Sequence, residues 1–252
     1  MVSAACRRRE GMMIQPDAWL SEKLGRPAFA VAAAGATPAE VSAALASHLS
    51  PTNAFYTAKV GVLELAIVEA LTAEGFSVVE TSLHFEKPID RHAPVPQVGV
   101  CQPQWRDAVL EIAECAFRFT RFHVDPKIDR AAANRVKREW IQSYVDGRRG
   151  DALLVAHDGD TVLGFNAMLV SDRPSGPVAV IDLIGVHPDQ QRRGIGRLMV
   201  DGALHHYQDR CRSLEVGTQA SNVPSVRLYE RMGFRLIRSG YVLHRHGNGR
   251  CA

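Results

Sequence analysis

The stretch Gln191-Arg192-Arg193-Gly194-Ile195-Gly196-Arg197 follows an apolar run that ends Ile184-Gly185-Val186 and precedes a helical pattern. Backbone amides that open a helix lack intrahelical acceptors, and the helix dipole favours an anion beside them. Gly194 and Gly196 remove the Cβ atoms that would block a close approach. The chemistry on offer is the holding of a phosphate by backbone amides at the start of that helix. A Walker loop is excluded, because the chain contains no Gly-Lys followed by Ser or Thr, and so is a dinucleotide fingerprint, because its third glycine position falls on Met199.

A second constellation lies thirty residues on. In Ser221 to Phe234, Asn222 suits a helix cap, Pro224 the first turn, and Gly233 the position after the last turn. Asn222, Ser225 and Tyr229 recur at helical spacing and share one face. Tyr229 offers a phenol, whose ordinary pKa is about 10. Asp182 interrupts the otherwise apolar Val178 to Val186. A carboxylate there is costly to bury unless it is paired or faces a cleft, so it reads either as a base or as a group satisfied by an amide or an arginine.

The elements that must position these residues alternate between strand and helix, which predicts an α/β chain. Apolar residues at Leu63, Ile67, Val68 and Leu71 predict one helical face, and Ser77 to Glu86 predicts a strand. The proline-rich Lys87 to Gln97 predicts a linker, giving a small α/β domain over 1–92 and a larger domain over 93–252. The larger domain reads as a strand, two helices, three strands joined by turns at Asp158-Gly159-Asp160 and Arg173 to Gly176, the glycine loop with its helix, a strand, a helix from about Pro224 to Met232, and a final strand pair.

The 252-residue chain has ample material for a buried core, and its formal charge of +3 is too mild for a nucleic-acid binder. Five cysteines, Cys6, Cys101, Cys115, Cys211 and Cys251, form no CxxC pair, so no zinc site and no disulfide framework is expected, and a reducing cytoplasm fits. The start, with arginines after a short apolar stretch and Met12 or Met13 as a further candidate start, does not read as a secretory signal. No apolar run approaches the roughly 18 residues a membrane span needs.

Together, Gln191 to Gly196 and Asn222 to Phe234 resemble the GNAT superfamily of N-acetyltransferases. The resemblance implies a mixed, mostly antiparallel central sheet splayed at its fourth and fifth strands, with acetyl-CoA (coenzyme A) as cofactor. It implies that Gln191, Arg192, Arg193, Gly194, Ile195, Gly196 and Arg197 hold the pyrophosphate. Ile184, Gly185 and Val186 would pair with the pantetheine arm, and Asn222 and Ser225 would lie beside it. Direct attack of an amine on the thioester is implied, with Tyr229 as general acid and Asp182 at the place where some relatives carry a base.

Thr218 and Gln219 before Asn222, and the tail Ser239 to Arg245, resemble the branch that contains TDP-fucosamine acetyltransferase, which acylates the 4-amino group of a nucleotide-linked dideoxysugar. That branch also carries an added N-terminal α/β domain. By this likeness Arg118, Arg121 and His123, between the first two helices of the larger domain, are expected to bind the acceptor, with Phe119 and Phe122 to stack on it. Arg118 and Arg121 read equally as surface arginines. Ser21 to Phe29 departs from the branch pattern, which leaves the role of the first domain open. The expected partner is a small-molecule amine, a nucleotide aminosugar, and a homodimer is left open. The alternatives are a RimI-like peptide N-terminal acetyltransferase and a non-catalytic acyl-CoA-binding module.

Overall fold

A computed structural model of the chain describes residues 12–48 and 53–247. Cys6, Cys251 and the arginine-bearing start before Met12 lie outside the described residues. In chain order the elements begin with β1 (Met13–Pro16), α1 (Ala18–Leu24), β2 (Ala28–Ala32), α2 (Pro38–His48), β3 (Phe55–Gly61), α3 (Leu65–Ala73) and β4 (Ser77–Pro88). They continue with β5 (Val98–Val100), α4 (Arg106–Cys115), α5 (Arg130–Val145), β6 (Ala152–Asp158), β7 (Thr161–Ser171) and β8 (Val178–Val186). The last are α6 (Ile195–Tyr207), β9 (Ser213–Gln219), α7 (Val223–Arg231) and β10 (Arg235–His246).

The chain forms two compact units, residues 1–81 with 239–252, and residues 82–238. This division differs from a boundary after residue 92. The second half of β4, Ser82 to Pro88, pairs with β9 inside the larger unit, while Gly240 to His246 of β10 pairs with β3 in the smaller one. The tail after α7 is one long strand rather than a pair, and its second half serves the first unit. The prolines that predict a linker fall where β4 ends.

In the smaller unit, β1 and β2 are antiparallel, β2 and β3 parallel, and β3 and β10 antiparallel. α2 and α3 bury Val41, Leu45, Ile67 and Leu71 with Val31, Tyr56 and Phe76. Leu63 departs from the expected helical face and is 93% exposed. The helix starts only at Leu65, because Glu64 Oε2 accepts the Gly61 amide at 2.8 Å and turns the chain before it.

In the larger unit the strand order is β4-β9-β8-β7-β6-β5. All neighbours are antiparallel except β8 and β9, which are parallel and joined by the α6 crossover. Period-two alternation sends one face of these strands to each helical layer. Met168, Ile181, Leu214 and Val216 meet Val200 and Leu204 of α6, Tyr229 of α7 and Met232 just after it. Leu153, Val155, Phe165 and Ala167 meet Val109, Ile112, Ile141 and Tyr144 of α4 and α5. Each helix is thus fixed by its apolar stripe. α5 is also started by Asp129, whose carboxylate accepts the Ala132 amide at 2.8 Å. Counting from β5, the fourth and fifth strands of this unit are β8 and β9, the pair expected to splay.

Candidate active site

β8 carries the break that opens the sheet. It is parallel to β9 from Val178↔Ser213 to Ile181↔Val216, and the described pairing ends there. On its other side it stays with β7 as far as Val186↔Gly164, but the register shifts. Met168 opposes Ile181 and Ala167 opposes Leu183, so Asp182 is an extra residue, a β-bulge. A bulge bends its strand and increases the local twist. The bend begins at the residue where pairing with β9 stops, so Asp182 to Val186 have no described strand partner on the β9 side. Gly185 is buried in this stretch, and a Cβ there would meet the Phe165 ring at 2.8 Å, so Gly185 can serve a ligand through its backbone alone.

After β8 a short turn over Pro188–Gln190 leads into the glycine loop. Arg192 has φ +62°, the one positive value at a non-glycine among the described residues, and Gly194 follows at +83° as the cap of α6. Left-handed positions on either side of Arg193, which keeps a negative φ, alternate the backbone in the way that lets neighbouring amides face one point. The first bond of α6 runs from the Leu198 amide to the Gly194 carbonyl, which leaves the amides of Ile195, Gly196 and Arg197 as helix-opening donors. A Cβ on Gly194 would meet nothing within 4 Å, so the space above the loop is open. This fits a diphosphate: an open cradle, outward amides and a helix N-terminus in one place. Of the side chains, Gln191 Nε2 returns to the Val186 carbonyl at 3.4 Å, Arg193 donates to Gln190, and Arg197 pairs with Asp201 at 3.5 Å. Arg192 is exposed beside them.

α7 brings the second constellation to the same place. Asn222 caps it, its Oδ1 accepting the Ser225 amide at 3.4 Å. The Leu228 side chain lies 3.3 Å from where a Cβ of Gly196 would stand, so α7 abuts the first turn of α6. Tyr229 is 2% exposed and lies in the apolar cluster that Ile184 also joins, with Phe85 and Phe234 rings at 6.0 and 5.5 Å. Burial pushes its hydroxyl above the ordinary phenol range, so the proton is retained through neutral pH.

Asp182 is placed differently from the open carboxylate that a base would present. Its Oδ2 accepts from Trp140 Nε1 at 2.8 Å, Tyr144 Oη at 2.7 Å and Arg149 Nε at 2.9 Å. Burial opposes its charge, but those three bonds and the Arg149 guanidinium outweigh it and hold the carboxyl below the usual range. Arg149 is a partner of the kind the sequence reading offered as the alternative to a base, whereas Trp140 and Tyr144 were not anticipated. The available signal was the i, i+4 spacing of Trp140 and Tyr144, which puts both on one face of α5. Asp151 is likewise held low, although burial opposes it, by hydrogen bonds from Arg210 and Tyr207. A carboxylate with a depressed folded-state pKa stabilises the fold above its unfolded value, about 3.9, and that stability is lost as pH falls through the folded value. The melting temperature is therefore expected to be flat around neutrality and to fall below about pH 4, as a series of thermal melts would show.

The expected acceptor residues divide. Arg118 and Phe119 are exposed, and Arg121 is half-buried with its guanidinium 4.6 Å over the Phe122 ring. Phe122 is 1% exposed and so is not open to stack on a ligand. His123 is tied to Thr120 of its own loop and to Asn134 of α5. Its Nε2 donates to Asn134 Oδ1 at 3.0 Å, its Nδ1 lies 2.6 Å from Thr120 Oγ1, and burial pushes the ring below the ordinary histidine range. A neutral ring with both nitrogens engaged holds the loop rather than a ligand.

Residues 107–234 match the profile described as Acetyltransferase (GNAT) family. The spore coat polysaccharide biosynthesis protein SpsD of Bacillus subtilis is 30% identical over 62% of this chain and 52% of its own length. A mycothiol acetyltransferase of Propionibacterium freudenreichii is 31% identical over 60% of this chain and 47% of its own. The chain thus spans about half the length of these curated relatives. Among solved structures, a GCN5-related N-acetyltransferase from Sphaerobacter thermophilus superposes with a TM-score of 0.54 at 13% identity, over 88% of this chain and 73% of that one, and shares the fold.

Proposed function

The chain belongs to the GNAT family of acetyltransferases, and from that premise we propose that it moves an acetyl group from acetyl-CoA to the primary amine of a small molecule, the 4-amino group of a nucleotide-activated dideoxyaminosugar. The observation that carries the reading is the coincidence, in one unit, of the β8 bulge, the open amide cradle at Gly194 and the buried phenol of Tyr229. Acetyl-CoA, when bound, supplies the activated thioester. The amides from Arg192 to Arg197 hold the diphosphate, and the backbone edge of Ile184 to Val186 that β9 leaves without a described pairing holds the arm. Asn222 and Ser225 at the start of α7 flank that arm. An amide at the bend donates to charge that develops on the carbonyl oxygen. Tyr229 keeps a proton at Oη for the departing sulfur, and the surplus proton of the attacking amine passes to water.

The aminosugar acceptor is supported by the relative named for spore coat polysaccharide biosynthesis and by Arg118 and Arg121, which offer donors to a diphosphate. Other relatives are named mycothiol acetyltransferase, which favours as a second reading an acceptor of that type. Neither name points to a peptide. Cys101, Cys115 and Cys211 are free thiols, which supports a cytoplasmic setting, and no helix among the described residues is long and apolar enough to cross a membrane.

Arg121→Ala is expected to raise the acceptor KM about tenfold, the loss of one charge-assisted hydrogen bond of roughly 1.5 kcal/mol, and to leave the acetyl-CoA KM unchanged. Steady-state kinetics with each substrate varied in turn checks this. A change confined to the acetyl-CoA term would move the acceptor elsewhere. Nuclear magnetic resonance of the product identifies which nitrogen carries the acetyl group.

A further inference from the structure

We propose that Asp182 is a positioning residue, tied through Trp140, Tyr144 and Arg149 to α5 and the segment after it so that the β8 bulge is held in one geometry. The proposal rests on the reading that the opening at this bulge is the acetyl-transfer site.

Two observations meet at one residue. Asp182 is the extra residue of the bulge on the β7 side, and it directly follows the last pairing with β9 on the other. The backbone here therefore lacks the ladder that fixes register elsewhere in the sheet. The same residue carries a side chain with three donors on one oxygen, at 2.7 to 2.9 Å. The donors brace one another: the Arg149 guanidinium lies 4.8 Å over the Trp140 ring and 6.0 Å from the Tyr144 ring. Two of them sit a turn apart on α5, whose apolar stripe is locked in the core by Ile141 and Val136. The carboxylate thus transfers the rigidity of a packed helix to a strand segment that has lost half its own restraints.

The charged and titratable groups around Asp182 are Arg149 and Tyr144, with Lys137 next along α5 at 5.0 Å from the Trp140 ring. Arg149 and the hydrogen bonds favour the ionised carboxylate, the reverse of what a base at neutral pH requires. Held this way, Asp182 sets where the amides after it point. A misplacement of about 1 Å in such a donor can cost on the order of 100-fold in rate.

The test compares Asp182→Asn, Tyr144→Phe and Trp140→Phe, with acetyl-CoA affinity by calorimetry, kcat, the pH profile of kcat/KM and the melting temperature read for each. Tyr144→Phe removes one hydroxyl and keeps the ring, so it folds even if Asp182→Asn does not. The expected result is a fall in kcat of about tenfold in each variant, with acetyl-CoA affinity and the acidic limb of the pH profile kept. Tyr144→Phe and Trp140→Phe turning over at the wild-type kcat, with only the melting temperature lowered, would overturn the proposal. So would loss of the acidic limb in Asp182→Asn, which is the signature of a base. A wild type that transfers acetyl to no amine sinks the acetyltransferase reading itself, and the proposal with it.

Discussion

Tyr229→Phe is expected to lower turnover by about two to four orders of magnitude, the usual contribution of a positioned acid, and to keep the affinity for acetyl-CoA. The phenylalanine ring fills the same space among Phe85, Phe234 and Met232, so the cluster loses no apolar contact. The hydroxyl makes no described hydrogen bond to another residue, so its removal strands no partner. Burial raises its pKa, which keeps the proton on oxygen through neutral pH. A purely anchoring tyrosine would be indifferent to this change. Pre-steady-state acetyl transfer together with calorimetric binding of acetyl-CoA separates the two, and unchanged turnover would remove Tyr229 from the chemistry.

The second large effect is expected at Gly194. Its φ of +83° favours glycine, and a side chain there projects into space with no protein atom within 4 Å of the Cβ. Asn and Asp tolerate the left-handed region better than other residues and match each other in size. Gly194→Asn is expected to weaken acetyl-CoA binding a few-fold, through backbone strain on the order of 1 kcal/mol. Gly194→Asp adds a negative charge where the diphosphate lies. Two like charges about 4 Å apart repel by about 4 kcal/mol at an effective dielectric of 20. Allowing for relaxation and salt, a further loss of about 100-fold is expected, smaller at high ionic strength. Calorimetry on both variants at two salt concentrations checks this. Equal binding by Asn and Asp would place the diphosphate away from the loop.

Much of the larger unit was legible because its signals are local. The strand, glycine loop and helix around Gly194 need only φ values and amide directions, and the Asn222 cap with Pro224 and Gly233 is a matter of helix ends. What was not legible depends on partners distant in the chain. Trp140 and Tyr144 lie in what the sequence shows only as the second helix of the larger unit, and nothing local says that they meet a carboxylate some forty residues later. His123 and Phe122 looked available because their types suit recognition, yet Asn134 and Thr120 engage the first and burial removes the second. The unit boundary was obscured for a related reason. β4 and β10 each run through it without a break, and only pairing reveals which half of each strand belongs to which unit.

The most direct test of the central claim is the amine-dependent release of free CoA thiol from acetyl-CoA. It would be measured across a panel of nucleotide-linked aminosugars, an acceptor of the mycothiol type and short peptides with free N-termini. The account predicts release that depends on a 4-amino-4,6-dideoxysugar nucleotide and is absent with peptides. Release with peptides alone, or none with any amine, would contradict it.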